Sequence, residues 1–160
     1  MSTKQALSAM TRREALLLAA GATIVAAGGV VLKSGTANAD QKMVDESVMK
    51  LIGDKKPVDG KITLELPQIA ENGNTVPVGF TVDSPMTADN YVKSVHLFAD
   101  GNPAPDVASL HFTPMSGKAS AATRIRLAGT QNIVAVAEMS DGSVFRASQE
   151  VKVTIGGCGG

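Results

Sequence analysis

The chain has 160 residues, 44% apolar and 19% charged, with fifteen basic residues balanced by fifteen acidic ones. That composition points to a globular protein with one domain, and the even charge gives no basic surface for nucleic acid or anionic lipid. A single cysteine, Cys158, excludes a disulfide framework.

Residues 1–39 carry Lys4, Arg12, Arg13 and Lys33 against one acidic residue, Glu14, and residues 15–32 are uncharged. A membrane-spanning helix needs roughly twenty predominantly apolar residues, whereas this run is diluted by Gly21, Gly28, Gly29 and several alanines. It leads to Ala37-Asn38-Ala39, whose small side chains suit signal peptidase, with Asp40 opening the mature chain. The order of these parts predicts a signal peptide over residues 1–39, cleaved between Ala39 and Asp40; a retained anchor is the alternative. Thr11-Arg12-Arg13-Glu14-Ala15-Leu16-Leu17 resembles the twin-arginine export signal Ser/Thr-Arg-Arg-x-Phe-Leu-Lys, departing from it at Ala15 and Leu17. On that reading Arg12 and Arg13 direct export of the folded protein to the periplasm, and a partner without its own signal can travel with it. An ordinary secretory signal containing two arginines is the other reading.

Residues 40–160 hold eleven basic and fourteen acidic residues, a net charge of −3. A domain of about 120 residues buries roughly two-thirds of its unfolded surface, so its core needs no disulfide or metal. Residues 41–53 place Val44, Val48, Leu51 and Ile52 on one helical face, with Asp40 as a start signal and Gly53 as a stop. After Pro57 the period becomes two, and Lys61-Ile62-Thr63-Leu64-Glu65-Leu66 alternates as a half-buried strand does. Six more strands are predicted at residues 75–82, 91–99, 108–113, 121–127, 131–139 and 143–155. Turn formers separate them: Asn72-Gly73-Asn74, Ser84-Pro85, Asp100-Gly101-Asn102-Pro103, Ser116-Gly117, Gly129 and Asp141-Gly142. The last pair predicts a type I′ hairpin. Seven short strands predict an all-β fold, an immunoglobulin-like antiparallel β-sandwich over residues 40–155 with a short N-terminal helix, without the Cys-Trp-Cys core of antibody domains. A small barrel is the alternative.

The last strand stops at Ile155, and Gly156-Gly157-Cys158-Gly159-Gly160 follows. Glycine has no side chain to pack and maximal backbone freedom, so residues 156–160 are predicted to form a flexible arm that does not dock on the domain. Counted from Ile155, three extended residues carry the sulfur roughly 10 Å beyond the last strand. Flanking glycines also let the thiol enter a narrow cleft in another protein. A solvated thiol titrates at about 8.5 and reacts as the thiolate. No histidine, lysine or helix N-terminus adjoins Cys158, so its activation is expected to come from a partner.

Other uses of the cysteine fit the sequence less well. Zinc requires three or four ligands, against one cysteine and the distant His96 and His111, so no metal site and no cofactor is expected in this chain. A C-x-x-C pair is absent, and the ending does not match the C-a-a-X prenylation signal. An exported structural sandwich whose cysteine forms an intermolecular disulfide is the open alternative, although it gives the four glycines no purpose. Ubiquitin-like sulfur carriers also end in Gly-Gly, but their activation uses ATP, which an exported chain does not meet.

The motif Gly156-Gly157-Cys158-Gly159-Gly160, following a β-rich domain and a twin-arginine-like signal, resembles the SoxY family, sulfur-carrier subunits of the periplasmic thiosulfate-oxidising Sox system. The resemblance implies a non-enzymatic carrier with Cys158 as the covalent attachment point and Gly156, Gly157, Gly159 and Gly160 as the carrier arm. It also implies a heterodimer with a SoxZ-like β-sandwich subunit. Three kinds of partner enzyme would act on the arm: a haem-containing enzyme attaches thiosulfate oxidatively, a manganese-dependent hydrolase releases sulfate, and a molybdenum- and haem-dependent enzyme oxidises the remaining sulfane sulfur. Those cofactors belong to the partners.

The remaining candidates are weaker. His96 and His111 read as strand residues rather than ligands, and residues 100–106 as turn chemistry rather than a calcium loop. Met86 and Met115 each follow a proline in a predicted loop, where methionine is either incidental or part of an adaptable partner surface.

Overall fold

The structure, a computed structural model, describes residues 41–157. Arg12, Arg13, Ala39 and Asp40 of the expected export signal, and Cys158, Gly159 and Gly160 of the expected arm, lie outside the described residues.

Helix α1 (Gln41–Ile52) buries Val44, Val48 and Ile52. Leu51, expected on the same face, is 44% exposed, because at 3.6 residues per turn it falls on the flank of the stripe centred on Val48. Gly53 ends the helix with a φ of 63°, in the left-handed region that glycine adopts without strain, and its N–H donates to the Met49 carbonyl.

Nine strands follow among the described residues: β1 (Val58–Asp59), β2 (Ile62–Glu65), β3 (Ile69–Asn72), β4 (Val76–Val82), β5 (Val92–Ala99), β6 (Asp106–His111), β7 (Ala119–Ile125), β8 (Gln131–Met139) and β9 (Val144–Ile155). They form two sheets, one ordered β1-β9-β8-β5-β6 with β3 also on β9, the other ordered β2-β4-β7. The seven expected strands are all there, and the two open sheets make a sandwich rather than a barrel. β1 and β3 are additional and pair with β9 in parallel, so the sheets are antiparallel except at these short additions.

Successive side chains of a strand point to opposite faces. On β8, Ile133, Ala135, Ala137 and Met139 enter the core between the sheets with Val76, Val78, Phe80 and Val82 of β4. Val134 and Val136 face the other way and pack with Phe98 and Val144 against Val44, Val48 and Ile52 of α1. A strand covered on both faces needs no polar alternation, which accounts for its unbroken apolar run.

The turn between β8 and β9 corrects one expectation. Gly142 has a φ of 85°, but Asp141 is not among the residues with positive φ, so the hairpin is not type I′. Its strands pair only as far as Glu138 with Val144, leaving a longer connection than a two-residue loop. The Gly142 N–H donates to the Met139 carbonyl at 3.1 Å, and the Asp141 carboxylate accepts the Ser143 N–H at 2.8 Å. One left-handed glycine after a type I-like turn is the arrangement suited to that length.

Candidate functional site

Three segments meet at one end of the sandwich. β3 turns through Gly73 and Asn74 into β4, residues 126–130 join β7 to β8, and β9 leaves through Gly156 and Gly157. β9 pairs with β8 as far as Val151 opposite Gln131, then continues beside β3 until Ile155 stands opposite Asn72. Past the end of β8, the Val153 N–H donates to Thr130 Oγ1 at 3.0 Å. Three backbone bonds then close a ring. Gly73 N–H donates to the Ile155 carbonyl at 2.7 Å, Leu127 N–H to the Gly73 carbonyl at 2.8 Å, and Gly157 N–H to the Leu127 carbonyl at 2.8 Å. Leu127 is fully buried in the core, which ties the ring to the packed interior.

The ring brings main chains closer than side chains permit. A Cβ on Gly73 would overlap the Leu127 carbonyl oxygen and lie 2.7 Å from the Gly157 nitrogen. On Gly156 it would overlap the Ala128 carbonyl oxygen, and on Gly157 it would lie 2.8 Å from the Gly73 oxygen. None of these backbone atoms can rotate aside. The sequence predicts that residues 156–160 stay undocked. The structure places Gly156 and Gly157 against other backbone, where the missing Cβ permits close approach of two backbones as well as freedom. Gly157 is buried and hydrogen-bonded.

A buried polar pair supports the connecting segment. Asn102 and Gln131 are 2% and 5% exposed. Asn102 Nδ2 donates to the Arg126 carbonyl at 2.9 Å, and its Oδ1 accepts the Ala128 N–H at 3.0 Å. Gln131 Nε2 donates at 3.0 Å both to Asn102 Oδ1 and to the Gly129 carbonyl, while its Oε1 accepts the Gly101 N–H at 2.8 Å. Main-chain groups of residues 126–129, which belong to no sheet, thereby find partners. Sequence reasoning read Asn102 as a turn former and Gln131 as the start of a strand, and it missed this role because both partners are distant in sequence.

The other candidates separate. His96 and His111 stand on neighbouring strands with ring centroids 6.2 Å apart, and His96 meets Ser109 Oγ at 2.8 Å and Ser94 Oγ at 3.1 Å. Partial burial, then proximity to His111, holds the His96 pKa below the usual histidine value, against weaker opposing pulls from Glu138 and Asp106. Among the described residues no group of three or more histidine, cysteine or acidic side chains is placed to hold a metal. The Asp100 carboxylate accepts the Asn132 N–H and Nδ2–H, both at 2.8 Å, and so is spent on β8. Met86 is 5% exposed and belongs to the core, which removes it from any partner surface, whereas Met115 is 95% exposed. A groove of about 300 Å³ between β6 and β7 is lined by Asp106, Val107, Thr123, Arg124 and their neighbours, without a histidine or cysteine. Among the described residues no helix is long and apolar enough to cross a membrane.

The family model described as "Sulfur oxidation protein SoxY" matches residues 48–158. Among solved structures, the sulfur carrier protein SoxY from Chlorobium limicola f thiosulfatophilum is 33% identical, with a TM-score of 0.60 over 70% of this chain and 96% of its own. A superoxide reductase (neelaredoxin) from Ignicoccus hospitalis is 14% identical, with a TM-score of 0.52 over 75% of this chain and 98% of its own, a likeness of fold alone. No curated protein matches.

Proposed function

The chain belongs to the SoxY family of sulfur oxidation proteins, and from that premise we propose that it carries thiosulfate-derived sulfur covalently on Cys158 and presents it to partner enzymes. The observation that carries this reading is the extent of the family match, which runs through the docked Gly156-Gly157 to end on Cys158, the one cysteine of the chain.

A cysteine thiol is suited to holding a substrate covalently while other proteins transform it. On loading, the Cys158 thiol loses its proton, a sulfur–sulfur bond forms to the outer sulfur of thiosulfate, and two electrons pass to the haem-containing partner. Water then cleaves the bond between that sulfur and the sulfonate, releasing sulfate and two protons and leaving the deprotonated persulfide on Cys158. This chain supplies the thiol and its placement, while partners supply the oxidant and the hydrolytic site. The chain itself is non-catalytic in this scheme. A SoxZ-like subunit completes the carrier, and Arg12 and Arg13 send the folded protein to the periplasm with cleavage between Ala39 and Asp40.

Intact-mass measurement of protein from cells oxidising thiosulfate tests the reading. Wild-type protein is expected to gain the mass of thiosulfate or its sulfane product, and Cys158→Ser protein to gain nothing while keeping its fold. A wild-type population found only as unmodified thiol or disulfide-linked dimer overturns it.

A further inference from the structure

Gly156 and Gly157 read as a linker, yet the space around the glycines at this end of the sandwich is of two kinds. Gly129, in the neighbouring connection, has nothing within 4 Å of where a Cβ would stand. Gly73, Gly156 and Gly157 come from two remote segments and each faces main-chain atoms at distances a Cβ cannot tolerate. The Gly157 N–H is spent on the Leu127 carbonyl, and the Leu127 N–H on Gly73. Behind that contact, Asn102 and Gln131 hold Arg126, Ala128 and Gly129 by their main-chain groups.

We propose that Gly73, Gly156 and Gly157 form a seat, braced by the buried Asn102–Gln131 pair, that fixes the chain as far as Gly157, the residue that precedes Cys158. The proposal rests on the carrier role of Cys158 and specifies how that residue is presented. Adjacent Cα atoms are about 3.8 Å apart, so a fixed Gly157 confines the sulfur to roughly 6 Å from its Cα, against roughly 10 Å beyond Ile155 for an undocked arm. A partner enzyme must then bring its active site up to the end of the sandwich, where residues 72–74 and 126–129 form the rim. Ordering of the root precedes the encounter instead of being required during it, which favours productive association. The seat glycines and the polar pair are positioning residues: they act through the placement of Cys158 and touch no substrate.

Backbone amide exchange on the full chain, read together with loading kinetics, tests the seat. The Gly157 amide is expected to exchange at least about tenfold more slowly than in an unstructured peptide, because it is buried and bonded. Gly156→Ala should abolish that protection and lower the partner-dependent kcat/KM for loading by about tenfold or more, the scale on which misplacement of a reacting group acts. The rate of Cys158 alkylation by iodoacetamide should stay within about twofold of wild type, since a small reagent needs no aligned encounter. Gly159→Ala, outside the seat, should leave the Gly157 amide protected. Should Gly156→Ala unfold the domain, the wild-type Gly157 amide still decides. The two readings fail separately. An unloaded wild-type Cys158 overturns the carrier role, whereas an unprotected wild-type Gly157 amide, or Gly156→Ala protein loaded as fast as wild type, overturns the seat.

Discussion

Asn102→Ala tests how firmly residues 126–129 are held. The side chain is 2% exposed and makes three hydrogen bonds: to the Arg126 carbonyl, from the Ala128 N–H, and from Gln131 Nε2. Gln131 keeps its bonds to Gly129 and Gly101, so the loss falls on the first two main-chain groups. Net worth is about 0.5–1.5 kcal/mol for each bond, and a buried group left without a partner costs about 1–3 kcal/mol. Arg126 is exposed and its carbonyl can turn to water, whereas Ala128 is only partly accessible. The sum is about 2–4 kcal/mol, a large share of a domain's usual total of about 5–15 kcal/mol. Unfolding entropy of about 2.1 cal/mol/K per residue over about 120 residues makes each kcal/mol worth about 4 °C, so the melting temperature should fall by about 8–16 °C. Thermal and urea unfolding followed by circular dichroism measure it. A fall of less than about 3 °C would mean that the polar pair does not brace the segment.

Two further outcomes follow from other parts of the chain. The pKa of His96 is lowered in the folded state, so between about pH 6.5 and that lower value the unfolded chain binds more protons; stability is greatest above this window and falls as pH drops through it. His96→Gln should remove part of the decline in melting temperature between about pH 8 and about pH 5, and an identical decline in both proteins would refute the assignment. Replacing Arg12 and Arg13 together by lysine should abolish export, read by cell fractionation and N-terminal sequencing; a normally exported variant, or mature protein beginning elsewhere than Asp40, counts against the signal reading.

Strand positions were legible wherever one face of a strand is core and the other is solvent. β2 shows the alternation at Ile62, Thr63, Leu64 and Glu65, and its burial follows that order. β8 was found as an apolar run, but the run does not say what covers its second face; α1 does, through Val44, Val48 and Ile52. β1 and β3 left no readable pattern. β1 has two exposed residues, and β3 buries only Ala70, so its place beside β9 is set by main-chain bonds rather than by side chains. Turn type at Asp141-Gly142 escaped for a related reason. Residue identities allow a positive φ at both positions, but strand register decides the loop length, and register comes from pairing Glu138 with Val144.

The candidate site shows the same division more sharply, because glycine is the one residue type whose side chain cannot report its surroundings. Periodicity ends at Ile155, the last position with a side chain to alternate, and the sequence accordingly places the boundary of the domain there. Hydrogen bonding continues two residues further, through Gly73 to Ile155 and through Gly157 to Leu127. Nothing adjacent to Gly156 or Gly157 in the chain discloses that Ala128 and Gly73 will stand against them. A run of glycines is thus compatible with opposite physical roles, freedom where space is open and contact where two backbones touch, and only the partners across the fold distinguish them. Here the partners are carbonyl oxygens of residues 73 and 128, which tolerate no Cβ. Among the described residues the last backbone bond is at Gly157, and the reach proposed for Cys158 has to be counted from that bond.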